Sequence, residues 1–242
     1  ADAALRADYA AVAAEHGRTQ TQKALAAALG RRTEFMLADD AGVVASSVPA
    51  FGAVWPEMAG LSMPADALQG EPARQRWLAW AAELGRESGK SAPKAADAVV
   101  DAWAVADATE RLHRLRKAFF VADEDRLNKN LQKFPGAQAA EAELQRLCQA
   151  DRQHAAWLHQ QRMARLTRCL LAEYAALKRA RGWVDMNDIE RAAGVLLADP
   201  VLSGWVQERL DARVRHLLID EFQDTNPLQW QALHAWLSGY AG

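Results

Sequence analysis

Residues 137–181 read AQAAEAELQRLCQADRQHAAWLHQQRMARLTRCLLAEYAALKRAR and decide the fold class. The stretch contains neither proline nor glycine, and its apolar residues recur every three or four positions. This periodicity predicts one unbroken helix of roughly 60 Å at about 1.5 Å per residue. Alanine, leucine, glutamine and arginine are frequent elsewhere and runs of β-branched residues are scarce, so we expect a mainly α fold with a long helical arm.

Glycines, prolines and capping residues divide the rest of the chain into further predicted elements. Asp185 and the pair Asp199-Pro200 are expected to begin helices. Residues 39–72, rich in glycine and proline, are expected to form loops with short helical turns. The one apolar run that looks like a short buried strand is VRHLLI, residues 214–219. Helices are predicted at residues 2–15, 19–30, 73–86, 93–121, 186–198, 200–212 and from 227 toward 236.

The nine tryptophans are many for a chain of this length. Aromatic side chains can stack on nucleic-acid bases, but they more often pack inside a helical core. We expect core packing for the seven at helix-compatible spacing, which are Trp77, Trp80, Trp103, Trp157, Trp205, Trp230 and Trp236.

The composition excludes several classes of protein. Of the 242 residues, 50% are hydrophobic and 25% are charged, which is typical of a globular chain rather than a disordered one. No apolar run approaches the roughly 18 residues that span a bilayer, and the N-terminus lacks the pattern of a secretory signal. Cys148 and Cys169 fit neither a metal site nor a disulfide framework, so we expect a reduced, cytoplasmic protein.

The formal net charge is only −2, but the charges are unevenly placed. Basic residues dominate residues 111–133 and 152–181, whereas acidic residues dominate residues 185–224. The basic stretches are either solvated helix faces or surfaces that contact DNA phosphates, and the sequence leaves both open. The candidate DNA contacts are Arg114, Lys117, Lys129, Lys133, Arg162, Arg165, Lys178 and Arg179.

The string HLLIDEFQDTNPLQW, residues 216–230, gives the clearest indication of a catalytic function. An apolar run ends in the adjacent acids Asp220 and Glu221, and a helix is predicted to follow within a few residues. Nucleotide hydrolases present two carboxylates in this way at the carboxyl end of a buried strand. The first helps to hold Mg²⁺ between the β- and γ-phosphates, and the second can deprotonate the attacking water.

The hexapeptide DEFQDT closely resembles motif II of the UvrD/Rep-type superfamily 1 DNA helicases. The wider string of residues 182–230 looks most like their AddA/RecB-like branch, also called exonuclease V β-subunit-like. The resemblance implies that Asp220 binds Mg²⁺, that Glu221 is the general base, and that Gln223 contacts the γ-phosphate and couples it to DNA movement. Asp224 and Thr225 would support the loop.

A second family motif, of the DFDDL type, falls on DMNDI at residues 185–189. Here Met186 replaces the usual aromatic residue and Asn187 the usual acid, which puts a DNA role for these two positions in doubt.

The phosphate-binding string G-x-x-x-x-G-K-[ST] that such motors need does not occur in the sequence. The one similar string runs from Gly85 to Ser91, is one residue short, and follows a predicted helix rather than a strand. We interpret it as a coincidental loop. The resemblance then implies a fragment of a larger motor. Residues 1–184 would form a helical accessory subdomain of the 1B type, and residues 185–242 part of the first motor domain with one short Walker B strand.

The resemblance therefore implies a fragment of an ATP-dependent DNA helicase or helicase–nuclease subunit used in double-strand-break repair and recombination. ATP and Mg²⁺ would serve the complete protein, and neither is expected to bind tightly to this fragment, which should not hydrolyse ATP measurably. The expected partners are DNA, the remainder of the helicase polypeptide and a second helicase–nuclease subunit, with no membrane. The alternative is a non-catalytic helical module that binds DNA or a partner subunit.

Overall fold

The computed structural model describes residues 3–122, 124–211, 216 and 218–238. It confirms the mainly α fold, and it adds a helix that was not predicted, Arg32–Asp40. None of the helices in these ranges is both long and apolar enough to span a membrane. Short helical turns cover Val43–Ser46, Phe51–Val54, Pro56–Met58, Pro64–Leu68 and Phe222–Asp224. The longer helices are α1 (Ala3–His16), α2 (Arg18–Gly30), α3 (Arg32–Asp40), α4 (Glu71–Gly85), α5 (Ser91–Trp103), α6 (Ala108–Phe119), α7 (Pro135–Arg181), α8 (Met186–Ala198), α9 (Pro200–Asp211) and α10 (Pro227–Ser238).

Helix α7 runs without a break through 47 residues, which confirms the single helix predicted from its periodicity. The chain divides into two compact units, and their boundary lies inside this helix. The middle unit is Ser46–Gln161, and the terminal unit combines Ala1–Ala45 with Arg162–Gly242. This boundary differs from the domain boundary that the change in composition at residues 182–185 predicts. The division into an accessory subdomain and part of a motor domain stays a prediction.

The core of the middle unit is built around Trp77, which is fully buried. Its ring contacts those of Trp80, Trp103 and Phe119, with centroids 5.0, 5.8 and 5.9 Å away. Its indole N–H donates a hydrogen bond of 3.0 Å to Glu143 of α7. The polar edge of the buried ring is therefore satisfied while its apolar body fills the space between α4 and its neighbours.

The single helix predicted over residues 93–121 is two helices in the structure, α5 and α6. Asp107 begins α6, because its carboxylate accepts a hydrogen bond of 2.7 Å from the backbone N–H of Glu110. Arg111, buried in α6, donates to the carbonyl oxygens of Ala102 and Val105 at the end of α5. The guanidinium thus gives the Val105 carbonyl a donor and adds a second donor to the Ala102 carbonyl, which also accepts from the backbone N–H of Val105.

In the terminal unit, two arginines of α7 hold the N-terminal helices through paired hydrogen bonds. The Arg165 guanidinium lies 2.7 and 2.8 Å from the carboxylate oxygens of Asp8 in α1. Arg168 makes the same contact with Asp39 in α3, at 2.7 and 2.6 Å. Such bidentate contacts fix the relative orientation of the two side chains in addition to pairing their charges.

These two contacts make the stability of the terminal unit depend on pH. The hydrogen bonds from Arg165 and Arg168 lower the pKa values of Asp8 and Asp39 below their usual value of 3.8. A carboxyl with a lowered folded-state pKa stabilises the fold above its unfolded pKa and loses that contribution as the pH falls through the folded pKa. We expect the melting-temperature difference between the wild type and Asp8→Asn/Asp39→Asn to shrink between about pH 5 and pH 2.5. A constant difference across that range, measured by circular dichroism, would contradict this account.

Half of the predicted strand at residues 214–219 lies outside the described residues. His216, Leu218 and Ile219 are described, and none of them is in a strand. Leu218 is 95% exposed, so it is not the buried strand residue that we expected. A strand needs hydrogen-bonded neighbours, and the β pairing within the described ranges is a single antiparallel bridge between Phe120 and Leu127.

The core prediction is also wrong for two tryptophans of the terminal unit. Trp205 in α9 and Trp230 in α10 are 57% and 44% exposed. Their helical spacing was recognised correctly, but the described residues leave about half of each ring exposed. Spacing along a helix shows which residues share a face, and it does not show that the face is covered.

Candidate functional site

The DEFQDT segment forms a compact loop directly before α10. Glu221 has left-handed backbone angles, φ 47° and ψ 46°, which are uncommon for a residue other than glycine. The Asp220 carboxylate accepts a hydrogen bond of 2.9 Å from the backbone N–H of Glu221. The turn Phe222–Asp224 follows, and the N–H of Thr225 closes it with a hydrogen bond of 3.1 Å to the carbonyl oxygen of Phe222.

The side chains of Asp220, Glu221 and Gln223 are all exposed. Phe222 is 50% exposed, and its ring meets that of Trp230 edge to face at 5.3 Å. The loop therefore places an aromatic residue against α10 and leaves two adjacent carboxylates and an amide accessible. Carboxylate oxygens are the ligands that Mg²⁺ prefers, so Asp220 and Glu221 fit that ion. No part of the described chain supplies the glycine-rich phosphate loop that would hold a triphosphate.

The loop is joined to α8 through the first turn of α10. The side chains of Asn226 and Gln229 each accept a hydrogen bond from the backbone N–H of the other, which forms a reciprocal cap. The Glu190 carboxylate of α8 accepts from Gln229 at 2.6 Å and from the Asn226 amide at 3.1 Å to both oxygens. Sequence reasoning missed Glu190, because it is 36 residues from Asn226 and no local pattern marks it.

Glu190 should therefore hold the loop in place. Replacing it with alanine removes three hydrogen-bond contacts. A local loss of about 1 kcal/mol corresponds to roughly fivefold faster amide exchange. We expect this acceleration at residues 222–226 in Glu190→Ala, measured by hydrogen–deuterium exchange. Glu190→Gln keeps an acceptor and should restore much of the protection, and Glu208→Ala on α9 is the matched control. Unchanged exchange at residues 222–226 in Glu190→Ala would show that the contact does not hold the loop.

The second motif segment, residues 185–189, starts α8. Asp185 caps this helix and forms a reciprocal pair with Asp188. Lys178 of α7 is 7% exposed and donates to Asp185 at 3.0 Å and to Asp188 at 2.6 Å. Its hydrogen bond lowers the pKa of Asp188. Asn187 donates to the hydroxyl of Thr33 at 3.2 Å, so its amide joins α8 to α3. These contacts give the segment a structural role.

The candidate DNA contacts of the middle unit are all exposed. Arg114 bonds Glu110 one turn earlier at 2.8 Å, and the Lys133 ammonium lies 5.0 Å from the centre of the Phe134 ring. Lys117 lies beside Arg114 and Asn128 along an open cleft, whereas Lys129 is on the loop before α7. The structure thus leaves these cations at the surface.

The candidate DNA contacts of the terminal unit are more strongly engaged within the chain. Arg165 is bound to Asp8, and Lys178 is buried between two carboxylates. Arg162 is half-buried and close enough to Asp8 to contribute to lowering the pKa of that carboxyl. Arg179 is exposed and lines a cleft. The net positive charge available to a ligand is therefore smaller than the sequence suggested.

The string from Gly85 to Ser91 connects the helices α4 and α5. The element before it is a helix, as predicted, whereas a phosphate-binding loop follows a strand. This agrees with the interpretation of that string as a coincidental loop.

The exposed pair of acids in the DEFQDT loop agrees with the family resemblance of the sequence, and comparison with known families shows the family. The chain belongs to the UvrD/REP helicase N-terminal domain family, whose model matches residues 75–240, more than half of the chain. It is similar to an ATP-dependent helicase/nuclease subunit of Desulfitobacterium hafniense, with 37% identity over 71 residues, and to one of Enterococcus faecalis, with 35% identity over 81 residues.

These alignments cover 29% and 32% of this chain and 5% and 6% of the two relatives. The chain therefore matches only a small part of the length of these curated relatives. No solved structure matches it.

Proposed function

We propose that the chain is part of an ATP-dependent DNA helicase or helicase–nuclease subunit that acts in DNA double-strand-break repair and recombination. The observation that carries the proposal is the exposed pair Asp220 and Glu221, placed in a DEFQDT loop within a chain of this helicase family. Residues 1–184 would act as the helical accessory subdomain and residues 185–242 as part of the first motor domain.

Each residue of the loop has a role in this proposal. Asp220 would hold Mg²⁺, and the ion would supply neutralisation of phosphate charge. Glu221 accepts the proton of the attacking water, and Gln223 contacts the γ-phosphate region. Asp224 and Thr225 support the loop. Because the sequence contains no phosphate-binding string, ATP and Mg²⁺ would be held tightly only by the complete helicase.

The proposed partners follow from the same assignment. They are DNA, the remainder of the helicase polypeptide, and a second helicase–nuclease subunit, since the relatives are themselves named as subunits. We place the protein in the cytoplasm, where Cys148 and Cys169 stay reduced; both are free thiols in the structure.

Binding of this chain to duplex DNA tests the DNA part of the proposal. Four phosphate contacts would give a log–log salt slope of about −3.6, or roughly a 100-fold loss of affinity between about 50 and 200 mM salt. We expect this loss in fluorescence anisotropy with a labelled duplex of about 20 base pairs. Lys129→Ala/Lys133→Ala should make the slope shallower by about 2, whereas Lys23→Ala, an exposed lysine of α2, should change it least. An affinity that does not respond to salt would exclude phosphate contacts.

A further inference from the structure

The first three helices of the terminal unit, α1–α3 at residues 3–40, form a layer that we call the acidic strap. The buried side chains of this layer are Asp8, Val12, Thr21 and Thr33, and of these four only Val12 is hydrophobic. Buried apolar area is the main source of stability for most packed helices. With so little of it, the strap depends strongly on its polar contacts with the rest of the terminal unit.

The strap is fastened to α7 and α8 by charged and polar groups. These contacts include the ion pairs Asp8–Arg165, Asp39–Arg168 and Arg32–Asp185, and the hydrogen bond of 3.2 Å from Asn187 to Thr33. Ion pairs near a surface are weakened by dissolved salt and can be exchanged for other ions of the same charge. The strap can therefore be released by a competing anion in a way that an apolar layer cannot.

The two arginines of α7 stay accessible to solvent while they hold the strap. The side chains of Arg165 and Arg168 are 49% and 42% exposed, whereas those of Asp8 and Asp39 are 11% and 22% exposed. An anion that approaches from solvent thus meets the guanidinium groups first. A guanidinium binds carboxylate and phosphate oxygens in the same bidentate geometry, so Asp8 and Asp39 occupy donors that also fit phosphate groups.

A third arginine continues this surface of α7. Arg162 precedes Arg165 by three residues, as Arg165 precedes Arg168, and residues at this spacing are neighbours on a helix surface. Arg162 is half-buried, and its charge contributes to the lowered pKa of Asp8. The acids of the strap therefore lie along a row of three cations, which we call the arginine row.

We propose that the acidic strap is an autoinhibitory element, in which Asp8 and Asp39 cover the arginine row and the phosphates of duplex DNA displace them. The proposal rests on the proposed DNA function and adds a means of regulating it. Since both anions compete for the same guanidinium donors, DNA binding and strap release are coupled in both directions. A weaker strap should tighten DNA binding, and bound DNA should loosen the strap.

Strap release has a signature that can be measured. The helices α1, α2 and α3 have 14, 13 and 9 residues, and isolated helices of these lengths are marginal in water. Their backbone amides should therefore exchange faster once the contacts with α7 are lost. Bound ligands ordinarily slow the exchange of the surface that they cover, so an acceleration on binding distinguishes displacement of the strap from binding on top of it.

The first test is hydrogen–deuterium exchange of the whole chain, with and without a saturating duplex of about 20 base pairs. We expect exchange at residues 3–40 to become at least about fivefold faster with DNA, whereas α4–α6 of the middle unit should not become faster. This test needs no substitution, so it does not depend on whether a variant folds.

The second test is fluorescence anisotropy with the same labelled duplex across a salt series. Asp8→Asn/Asp39→Asn should bind at least about fivefold more tightly at about 50 mM salt, and its log–log salt slope should be steeper by about 1.8, as expected for two additional phosphate contacts. The matched control is Glu34→Gln/Asp40→Asn, which makes the same change in charge at two exposed acids of α3. Within the part of the chain that the structure describes, these two acids form no ion pair with α7, so the slope should stay unchanged.

The outcomes separate the strap from the proposed function. If the duplex binds but exchange at residues 3–40 is unchanged or slower, the strap is not displaced and the strap proposal is wrong, while the DNA function stands. If the control variant gains as much affinity and slope as Asp8→Asn/Asp39→Asn, the gain reflects net charge and the strap proposal is again wrong. Binding by Asp8→Asn/Asp39→Asn alone supports both proposals. Absence of duplex binding by the wild type and by this variant removes both.

Discussion

In the complete helicase polypeptide, Glu221→Gln is expected to lower the kcat of DNA-stimulated ATP hydrolysis by about 10²- to 10⁴-fold. Glutamine keeps the shape and hydrogen-bonding capacity of the side chain but cannot accept the proton of the attacking water. The exposed position of Glu221 after Asp220 leaves it accessible to such a water molecule. Since the substitution leaves Asp220 in place, the KM for ATP should change little.

The control for this experiment is Glu208→Gln, which removes an exposed acid of α9 and should leave kcat close to that of the wild type. The present chain alone should release no phosphate above background, because its sequence contains no phosphate-binding string. Phosphate release by this chain that disappears in Glu221→Gln would overturn the view that the nucleotide site needs further polypeptide. A Glu221→Gln helicase with wild-type kcat would remove Glu221 from catalysis.

The second large effect is expected for Arg111→Ala, which should lower the free energy of unfolding. Arg111 is 8% exposed and donates hydrogen bonds of 2.9, 2.6 and 3.4 Å to the carbonyl oxygens of Leu68, Val105 and Ala102. Its guanidinium also lies 5.3 Å from the centre of the Trp103 ring. Arg111→Ala leaves the carbonyl groups of Leu68 and Val105 without this donor, removes one of two donors from the Ala102 carbonyl, and opens a cavity beside a tryptophan. Each unsatisfied buried group costs about 1–3 kcal/mol, so we expect a loss of about 3 kcal/mol or more in the free energy of unfolding.

Urea denaturation monitored by circular dichroism measures this loss. The matched control is Arg114→Ala, one turn further along α6, where the arginine is exposed and, among the described residues, bonded only to Glu110. Exposed ion pairs of this spacing contribute about 0.3–0.5 kcal/mol, so the control should remain close to the wild type. Equal losses in the two variants would show that Arg111 does not hold the junction between α5 and α6.

Local signals made part of this fold predictable. The proline-free and glycine-free stretch gives α7, and the caps at Asp185 and Asp199 lie where the sequence placed them, with Asp199 accepting from the N–H groups of Val201 and Leu202. These elements depend on residues within one or two turns of each other. The break between α5 and α6, at residues 104–107, was not predicted. It is stabilised by Arg111 of α6, which also donates a hydrogen bond to the carbonyl oxygen of Leu68, 43 residues earlier in the chain.

Some residues of the candidate site could likewise be predicted from the sequence, and others could not. The pair Asp220 and Glu221 could be recognised because the chemistry of the motif is contained in six consecutive residues. Glu190 could not, because its partners Asn226 and Gln229 come close only when α8 and α10 pack together. The charge of the basic stretches was overestimated for a related reason, since the carboxylates that neutralise Arg165 and Arg168 come from α1 and α3.

The central claim is that Asp220 faces a divalent cation bound to ATP in the complete helicase. The most direct measurement is electron paramagnetic resonance of Mn²⁺, titrated into the complete helicase with a non-hydrolysable ATP analogue. We predict that Asp220→Asn lowers the nucleotide-dependent affinity for Mn²⁺ by at least about tenfold, while Glu208→Gln leaves it unchanged. An Asp220→Asn helicase that binds Mn²⁺ and the analogue as tightly as the wild type would contradict the account.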